Sequence, residues 1–490
     1  MTGKRIVVVG GGSHFAGALA EGITDYSRDL LPGATVVLVD ICEENLEEPF
    51  EYATKLARSV EADVRFERTT DRRKAFEGAD FVVNTFRPGT YDQQGQDESV
   101  PPKYGLQGNE TVGIGGIFMA CRAVAILQGI CADAEEICPD AWFLNYTNPT
   151  QYVADAVRRL SNLKIVSLCD GWGKIANDLA PLLGVKPEDI TLYPAGMNHA
   201  IWLMRFTVKG QDGYPLLRKR LGQLPQAEIE AMCAPPTDLP YPLEEEYKQF
   251  IPRQGFPFDL RLLGIYGLLP APRYYWRYHM DQDAVIAEER SGHYVTMAAA
   301  YKGLWKRTEE RLAVRLERAA ADLKAGPRRV NGGYTDLAVR VIAAITGDLG
   351  RCYAVNIPNQ GAISNLPYDA IVEVPAIIDA QGWHALAIGP LPKELLGYQY
   401  SLVLAQELAV DAALSGSRND LLKRSWPIRS STRWTRQRRP WTSSWRSRPT
   451  GCPSSASSAP SGCRRWSPSE SSAARVGGGT TMCVGTSARK

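Results

Sequence analysis

A glycine-rich turn near the start of the chain limits the fold more than any other sequence feature. Residues 5–9, Arg-Ile-Val-Val-Val, have the length of a buried strand and are apolar after Arg5, and the sequence Gly-Gly-Gly-Ser-His-Phe-Ala-Gly follows at 10–17 and leads into a helical pattern. A second apolar run, residues 35–39, ends in Asp40. Strand, glycine turn, helix, strand and terminal acid in this order predict a Rossmann-type unit of a parallel sheet.

The same unit predicts a dinucleotide cofactor. Glycines let the backbone approach a pyrophosphate closely at the N-terminus of a helix, where free N–H groups bind anions. Asp40 lies about 23 residues after Gly17 and is expected to accept hydrogen bonds from ribose hydroxyls, which favours NAD over NADP. The residues expected to contact the nucleotide are Gly10, Gly12, Ser13, Phe15 and Asp40.

Several later strands are also followed by polar residues. The predicted third strand, residues 80–86, precedes Arg87, and the run at 141–144 precedes Asn-x-x-Asn148-Pro. Carboxyl ends of parallel strands meet at one edge of the sheet, where such sheets bind ligands. The glycine-dense stretch 105–116, which contains Glu110, indicates either a backbone close to cofactor or sugar or a plain flexible loop.

Cys169 and His199 are candidate ligands of a metal ion. Each follows an apolar run and stands beside a second polar residue, Asp170 and Asn198 respectively. Thiolate and imidazole hold borderline divalent ions, and two ligands alone would leave coordination positions open for substrate oxygens. Asp170 would then be placed as an acid or base. A buried cysteine and an ordinary core histidine fit the same spacing.

Composition and charge restrict the classes of partner. The chain has 490 residues, 44% apolar and 22% charged, which is typical of a soluble globular protein of two or three domains. It has neither an uninterrupted apolar run of about 20 residues nor a signal peptide, so we expect a cytoplasmic protein with no membrane segment. Residues 424–490 carry a net charge of about +12, which leaves about −10 for the body and argues against nucleic acid as its partner.

The chain changes character near residue 424. Ser, Arg, Pro, Thr and Trp dominate from there on, without the apolar periodicity that builds a core. Residues 424–490 are either a basic disordered arm or the frameshifted translation of a GC-rich gene. We favour the frameshift, because the preceding helical pattern breaks off abruptly.

Taken together, the motifs resemble glycoside hydrolase family 4, whose members are glycosidases that depend on NAD and a divalent metal. The resemblance covers nearly all of residues 4–423. It rests on the glycine turn with Asp40, Arg87-Pro-Gly, Asp97-Glu98, Glu110-Thr-Val-Gly, Asn145-Tyr-Thr-Asn148-Pro, Cys169-Asp170, Gly196-Met-Asn198-His199, Arg290-Ser-Gly, Val355-Asn-Ile-Pro-Asn-Gln-Gly and Val372-Glu-Val-Pro.

The resemblance implies an α/β fold with lactate/malate dehydrogenase-like architecture. A Rossmann-type parallel sheet would occupy residues 1–195, and an α+β catalytic and oligomerisation domain residues 196–423, in a homodimer or homotetramer. The metal, Mn²⁺ or another divalent ion, would bind Cys169 and His199. Asp170 and Tyr275 would be the catalytic acid and base. The implied substrate-binding residues are Arg87, Glu110, Asn148, Asn198 and Arg290.

The implied reaction is hydrolysis of an α-glycoside without net oxidation. NAD⁺ takes a hydride from C3 of the sugar, Tyr275 removes the acidified proton at C2, the C1 substituent leaves with help from Asp170, and water and hydride then add back. Cys169-Asp170 resembles the members that act on 6-phospho-α-glucosides. The chain departs from the family pattern at two places. Gln94 stands where members acting on phosphorylated sugars carry Arg, which concerns substrate specificity. The segment around Tyr275 matches the family's tyrosine motif only with a two-residue insertion, which concerns the identity of the catalytic base.

Two other functions use the same nucleotide unit. A 2-hydroxyacid or sugar dehydrogenase would form NADH in a net reaction and need no metal. An inactive or binding-only family member is the third interpretation, and the aberrant tail favours it.

Overall fold

Strands from both halves of the chain join in one sheet. The computed structural model describes residues 3–169, 174–225, 227–228, 256–271, 275–280, 282–290, 298–299, 309–326 and 336–421, all within the compact unit Met1–Arg439. The strands are β1 (Arg5–Val9), β2 (Ala34–Val39), β3 (Val64–Thr69), β4 (Phe81–Asn84), β5 (Trp142–Asn145), β6 (Lys164–Ser167), β7 (Ile190–Met197), β8 (Ala200–Val208), β9 (Gln211–Asp212), β10 (Leu269–Ala271), β11 (Arg351–Pro358), β12 (Ile371–Asp379) and β13 (Gly382–Ala385).

Helices connect most of these strands. They are α1 (Phe15–Tyr26), α2 (Glu43–Ser59), α3 (Arg72–Phe76), α4 (Tyr91–Ser99), α5 (Ile114–Ile137), α6 (Thr150–Leu160), α7 (Lys174–Leu183), α8 (Gly213–Leu221), α9 (Phe256–Tyr266), α10 (Tyr275–Met280), α11 (Gln282–Arg290), α12 (Glu309–Ala325), α13 (Asp336–Gly347) and α14 (Lys393–Ser415). Short 3-10 segments lie at Pro101–Tyr104 and Pro187–Asp189.

The parallel half of the sheet has the strand order β3-β2-β1-β4-β5-β6. This is the order of a Rossmann-type doubly wound sheet, whose ligand crevice lies where the order reverses, between β1 and β4. The antiparallel strands β11, β12, β7, β8 and β10 continue the sheet beyond β6. The predicted α/β fold class is therefore confirmed.

Helices cover both faces of the parallel half. Ile6 and Val8 of β1 pack in one core cluster with α1 and α13, whereas Val7 and Val9 pack in a second cluster with α5 and α6. Burial on both faces explains why these strands are continuous apolar runs. By length and composition α5 is the one helix among the described residues that could cross a membrane. However, 61% of its apolar window is buried inside the fold, as in the core helix of a soluble protein.

A registered row of buried polar residues crosses the middle of the sheet. The row runs through Asn84, Asn145, Ser167, Asn356 and Glu373, each at most 1% exposed, and continues to Gly196. Asn84 Nδ2 donates to Asn145 Oδ1 at 2.8 Å, and Asn145 Nδ2 donates to Ser167 Oγ at 2.7 Å. These hydrogen bonds tie β4, β5 and β6 together close to their carboxyl ends.

Two elements differ from the sequence expectation. The strand predicted as the third in the chain, residues 80–86, is the fourth, β4, because β3 was not predicted. The strand β3 lies at the edge of the sheet, where none of its residues is fully buried, and its sequence has no apolar run. The helix α4 over residues 91–99 was not predicted either. Thr90 caps its N-terminus, because the Thr90 side chain accepts a hydrogen bond from Gln93 N at 3.2 Å. The predicted division at 195/196 falls within β7 and stays a prediction. The predicted tail, 424–490, lies outside the described residues.

Replacement of Asn145 should test the polar row. Asn145→Ala removes the side-chain hydrogen bonds of Asn145 to the Asn84 amide, the Ser167 hydroxyl and Thr147 N, all of them buried, so we expect the free energy of unfolding to fall by about 2 kcal/mol or more. Urea unfolding measures the change. Asn162→Ala is the matched control, since it removes an exposed amide bonded to Glu135 and should change stability by less than about 0.5 kcal/mol. Equal losses for the two variants would contradict a stabilising role for the row.

Candidate active site

The glycine turn packs against the ends of β2 and β4. Gly10 N and Gly11 N both donate to Val39 O at 2.8 Å. Gly10 has a φ of 83°, and a Cβ there would lie 2.5 Å from Phe86 N, so only glycine fits. The helix that follows, α1, has no acidic residue in its first turn, which suits an anion at this N-terminus.

The other residues expected to contact the nucleotide lie around the turn. Asp40 Oδ2 accepts from Gly12 N at 3.2 Å, and Asp40 Oδ1 accepts from Asn45 Nδ2 at 3.2 Å. Ser13 Oγ donates to the Thr85 hydroxyl at 3.1 Å, and the Phe15 ring stacks on Tyr146 with centroids 5.3 Å apart. Glycines without a Cβ, a helix N-terminus and a fixed carboxylate fit the pyrophosphate and ribose of a dinucleotide.

Cys169 and His199 meet inside the protein. Their Sγ and Nε2 atoms are 3.4 Å apart, and both residues are 3% exposed. Cys169 follows β6, and His199 lies in the two-residue turn between β7 and β8 with a φ of 60°. The fold thus brings together two side chains that are 30 residues apart in the sequence.

Burial sets the protonation state of this pair. Desolvation, with a smaller contribution from neighbouring His279, lowers the pKa of His199 to about 3. The imidazole is therefore neutral near pH 7, and a neutral imidazole has the lone pair that binds a metal. Sulfur and nitrogen donors in contact fit a borderline divalent ion. Within the described ranges no cluster of three His, Cys, Asp or Glu side chains could hold an ion.

Asn148 and Asn198 lie at the ends of neighbouring segments of the site. Asn148 follows β5, whose last residue, Asn145, belongs to the polar row. The Oδ1 atom of Asn148 accepts a hydrogen bond from Thr150 Oγ1 at 2.9 Å. Asn198 precedes His199, and its Nδ2 donates to Glu373 Oε2 at 2.8 Å. Asn198 Oδ1 is buried and has no hydrogen-bond partner in the part of the chain that is described.

Arg87 and Gln94 form a separate group beside the site. The Arg87 guanidinium lies 4.1 Å from the centroid of the Tyr91 ring and donates to Gln94 Oε1. Gln94 is buried, and its Nε2 donates to Glu98 Oε1 at 2.7 Å. The two partners of Arg87 are therefore uncharged.

The remaining predicted residues are less closely associated. Glu110 is buried before α5 and accepts from the Thr111 hydroxyl at 2.6 Å. Arg290 is exposed at the end of α11, and its Nε donates to Pro102 O at 2.5 Å, so it contacts the Pro101–Tyr104 segment and not the Cys169–His199 pair. Asp170 lies outside the described residues, as does the side chain of Tyr275, whose backbone begins α10.

Four further residues, none expected from the sequence to bind a ligand, support the His199 turn: Gln151, His279, Glu373 and Gln399. Glu373 had a visible signal, because it is a charged residue within the otherwise apolar stretch 370–375 and belongs to one of the motifs quoted above. Gln399 is one of several polar residues in α14. The sequence alone does not indicate which distant segment it contacts.

Comparisons with known proteins match both halves of the chain to one family. The family model described as "Family 4 glycosyl hydrolase" matches residues 5–185, and that of the family's C-terminal domain matches residues 194–424. The probable 6-phospho-beta-glucosidase of Bacillus subtilis (strain 168) is 30% identical over 419 residues, 84% of this chain and 89% of the relative.

Solved structures have the same fold. The 6-phospho-alpha-glucosidase from gut microorganisms, in complex with NAD and Mn²⁺, gives a TM-score of 0.72 at 24% identity and covers 87% of this chain and 94% of its own. The lactate dehydrogenase of Cryptosporidium parvum, complexed with lactic acid and NAD, gives a TM-score of 0.52 at 16% identity and covers 84% of this chain and 99% of its own.

The fold and the glycine turn thus define a Rossmann-type α/β protein with lactate dehydrogenase-like architecture. Both family models and the Bacillus subtilis relative then identify its class. The chain belongs to family 4 of the glycosyl hydrolases and is a glycosidase, which confirms the family predicted from its motifs.

The buried histidines predict how stability depends on pH. Burial lowers the pKa of His279 from 6.5 to about 4, so between these pH values the unfolded chain binds more protons than the folded protein. The free energy of unfolding should therefore fall as pH falls through this window, by up to about 1.4 kcal/mol per pH unit for one histidine. His279→Gln should flatten the dependence.

Urea unfolding with a chelator present, at several values between about pH 4 and pH 6.5, measures this dependence. His384→Gln removes an exposed histidine and is the control for the substitution itself. A His279→Gln curve parallel to that of the wild type would contradict the lowered pKa.

Proposed function

We propose that this chain hydrolyses an α-glycoside of a glucose-type sugar by transient oxidation at C3, deprotonation at C2 and elimination at C1, with NAD and Mn²⁺ as cofactors. The observation that carries the proposal is the buried contact of 3.4 Å between Cys169 Sγ and His199 Nε2. A simple hydroxyacid dehydrogenase has no need of such a pair, whereas elimination needs a charge that stabilises an enolate.

Each cofactor has a group of residues suited to it. The nucleotide would be held by Gly10, Gly12, Ser13, Phe15 and Asp40, and the metal by Cys169 and His199. The 6-phospho-alpha-glucosidase in complex with NAD and Mn²⁺ supports the same pair of cofactors here. When bound, NAD⁺ supplies a hydride acceptor and Mn²⁺ a Lewis acid for the C2 and C3 oxygens.

The chain's own groups orient the sugar and move protons. Asn148 and Asn198 would bind sugar hydroxyls through their amides. The buried Asn198 Oδ1 supports this role, because an unsatisfied buried oxygen is costly and a hydroxyl donor would satisfy it. Tyr275 would accept the proton from C2, and Asp170 would donate a proton to the departing C1 oxygen; both roles rest on the family motifs.

The proposed substrate is a glucoside that is 6-phosphorylated or carries another anionic group. Arg87 supports a negative charge on the substrate, since its two partners, the Gln94 amide and the Tyr91 ring, are uncharged. Gln94 in place of Arg removes one cation from the expected phosphate site. Glu110 and Arg290 remain proposed substrate contacts, and a cytoplasmic homodimer or homotetramer remains the proposed assembly.

Ligand replacement combined with a substrate panel should test this function. Chromogenic α- and β-glucosides, with and without a 6-phosphate, are assayed with NAD⁺, Mn²⁺ and thiol. We expect activity on an α-glucoside, and Cys169→Ser and His199→Ala should each reduce metal affinity or rate by about 10²-fold or more while NAD⁺ binding stays nearly intact. Cys352→Ser removes an exposed thiol and is the matched control.

Two results would contradict the proposal. Full activity of the chelated enzyme would exclude the metal site. Net NADH formation from a hydroxyacid or polyol, without a metal requirement, would favour the dehydrogenase.

A further inference from the structure

The turn that carries His199 is held by side chains from four other elements. Met197 pairs with Ala200 across a two-residue loop, Asn198-His199, between β7 and β8. Side chains from α6, α10, α14 and β12 bond to polar groups within residues 197–200. This turn presents a proposed metal ligand, His199.

Gln399 of α14 makes two of these bonds. Its Oε1 accepts from Met197 N at 2.8 Å, and its Nε2 donates to Ala200 O at 2.6 Å. In a regular two-residue hairpin the N–H and C=O of these residues face each other at the end of the ladder. The Gln399 amide, which is fully buried, therefore bonds both ends of the loop from outside the hairpin.

The other bonds hold the centre of the loop. Gln151 Oε1 accepts from Asn198 N at 2.9 Å, and His279 Nε2 lies 3.0 Å from His199 O. Glu373 Oε2 accepts from the Asn198 side chain at 2.8 Å. Gln399 differs from these residues because it alone contacts both flanks of the loop.

Local backbone preference does not select this loop. Two-residue hairpin loops that match strand twist have a positive φ at both central residues or at the first. Here the second residue, His199, has a φ of 60° and Asn198 does not have a positive φ. A left-handed conformation is unfavourable for a residue with a Cβ, so the surrounding contacts must maintain it.

Glycine at position 196 allows Gln399 to approach. Gly196 has a φ of 142°, and a Cβ there would lie 3.1 Å from Gln399 Oε1. Close packing on one side of the loop and two hydrogen bonds across it leave the loop little freedom to rotate. Because the loop is held in one orientation, the backbone of His199 is fixed in a position from which its ring reaches Cys169.

We propose that Gln399 is a positioning residue for the metal site: it fixes the 197–200 turn so that His199 Nε2 faces Cys169 Sγ. The inference rests on the proposed function, because it assumes that the two side chains hold a divalent ion. Groups around a metal that orient its ligands change metal affinity by about 10- to 100-fold when they are removed. Gln399 would act in this way through the backbone of its ligand.

The test compares Gln399→Met with Gln406→Met. Both replacements remove a buried amide from α14, but Gln406 lies seven residues further on and its Oε1 has no hydrogen-bond partner among the described residues. Affinity for Mn²⁺ alone is measured by the signal of free Mn²⁺ in electron paramagnetic resonance. Co²⁺ alone reports the geometry through its visible and thiolate charge-transfer bands. NAD⁺ affinity and Tm are recorded for each variant.

Gln399→Met should weaken Mn²⁺ binding by about 10-fold or more and alter the Co²⁺ spectrum, whereas NAD⁺ affinity should not change. Gln406→Met should leave both metal readouts unchanged, and its Tm should change less, because Gln406 Oε1 has no hydrogen-bond partner to lose among the described residues. Gln399→Glu is the second variant if Gln399→Met does not fold. It keeps the acceptor for Met197 N and loses the donor to Ala200 O, and it should also weaken Mn²⁺ binding.

Two outcomes overturn the inference, and they are distinguishable. If Cys169→Ser abolishes the Co²⁺ thiolate band but Gln399→Met and Gln399→Glu bind Mn²⁺ like the wild type, the positioning role is wrong and the metal site stands. If the wild-type protein shows no thiolate band and Cys169→Ser binds Mn²⁺ equally well, the metal site and the positioning role are both wrong.

Discussion

The contact between Cys169 and His199 depends on the register of strands from both halves of the chain. Cys169 follows the parallel strand β6, and His199 follows the antiparallel strand β7. A single registered row, Ser167, Asn356, Glu373 and Gly196, connects these strands through β11 and β12. Because a slip of one residue would turn the side chains of a strand to the opposite face, this register decides whether the thiol and the imidazole can meet.

The same region concentrates buried polar groups that the protein leaves without hydrogen bonds. Asn356 Nδ2 and Oδ1 and Asn198 Oδ1 have no partner among the described residues, although both side chains are almost completely buried. Native proteins satisfy most buried polar atoms, and exceptions are common where a site binds a ligand. The polar row on the nucleotide side, in contrast, is bonded from Asn84 through Asn145 to Ser167. Hydrogen bonds therefore link the strands on that side, although Asn84 Oδ1 also has no partner among the described residues.

Local patterns in the sequence were sufficient for the parallel half of the fold. The apolar runs of β1 and β2, the glycine turn and Asp40 lie within 40 residues of one another, so their pattern alone indicates the unit. The edge strand β3 was missed because its exposed position requires no apolar run. Gln399 could not be assigned to the His199 turn, since the bond to Met197 joins residues 202 apart and Gln399 is only one of several polar residues in α14. The roles of Asp170 and Tyr275 come from motif resemblance and stay predictions.

Hydrogen exchange at C2 of the sugar distinguishes elimination from direct displacement at C1. Hydrolysis is run in D₂O with NAD⁺ and Mn²⁺, and the released sugar is analysed by nuclear magnetic resonance, alongside the rate for substrate deuterated at C2. Elimination breaks the C2–H bond, so the proposed mechanism predicts deuterium at C2 of the product and a slower reaction of the deuterated substrate. Direct displacement at C1 never breaks that bond. A product without deuterium at C2, together with equal rates for the two substrates, would contradict the elimination mechanism.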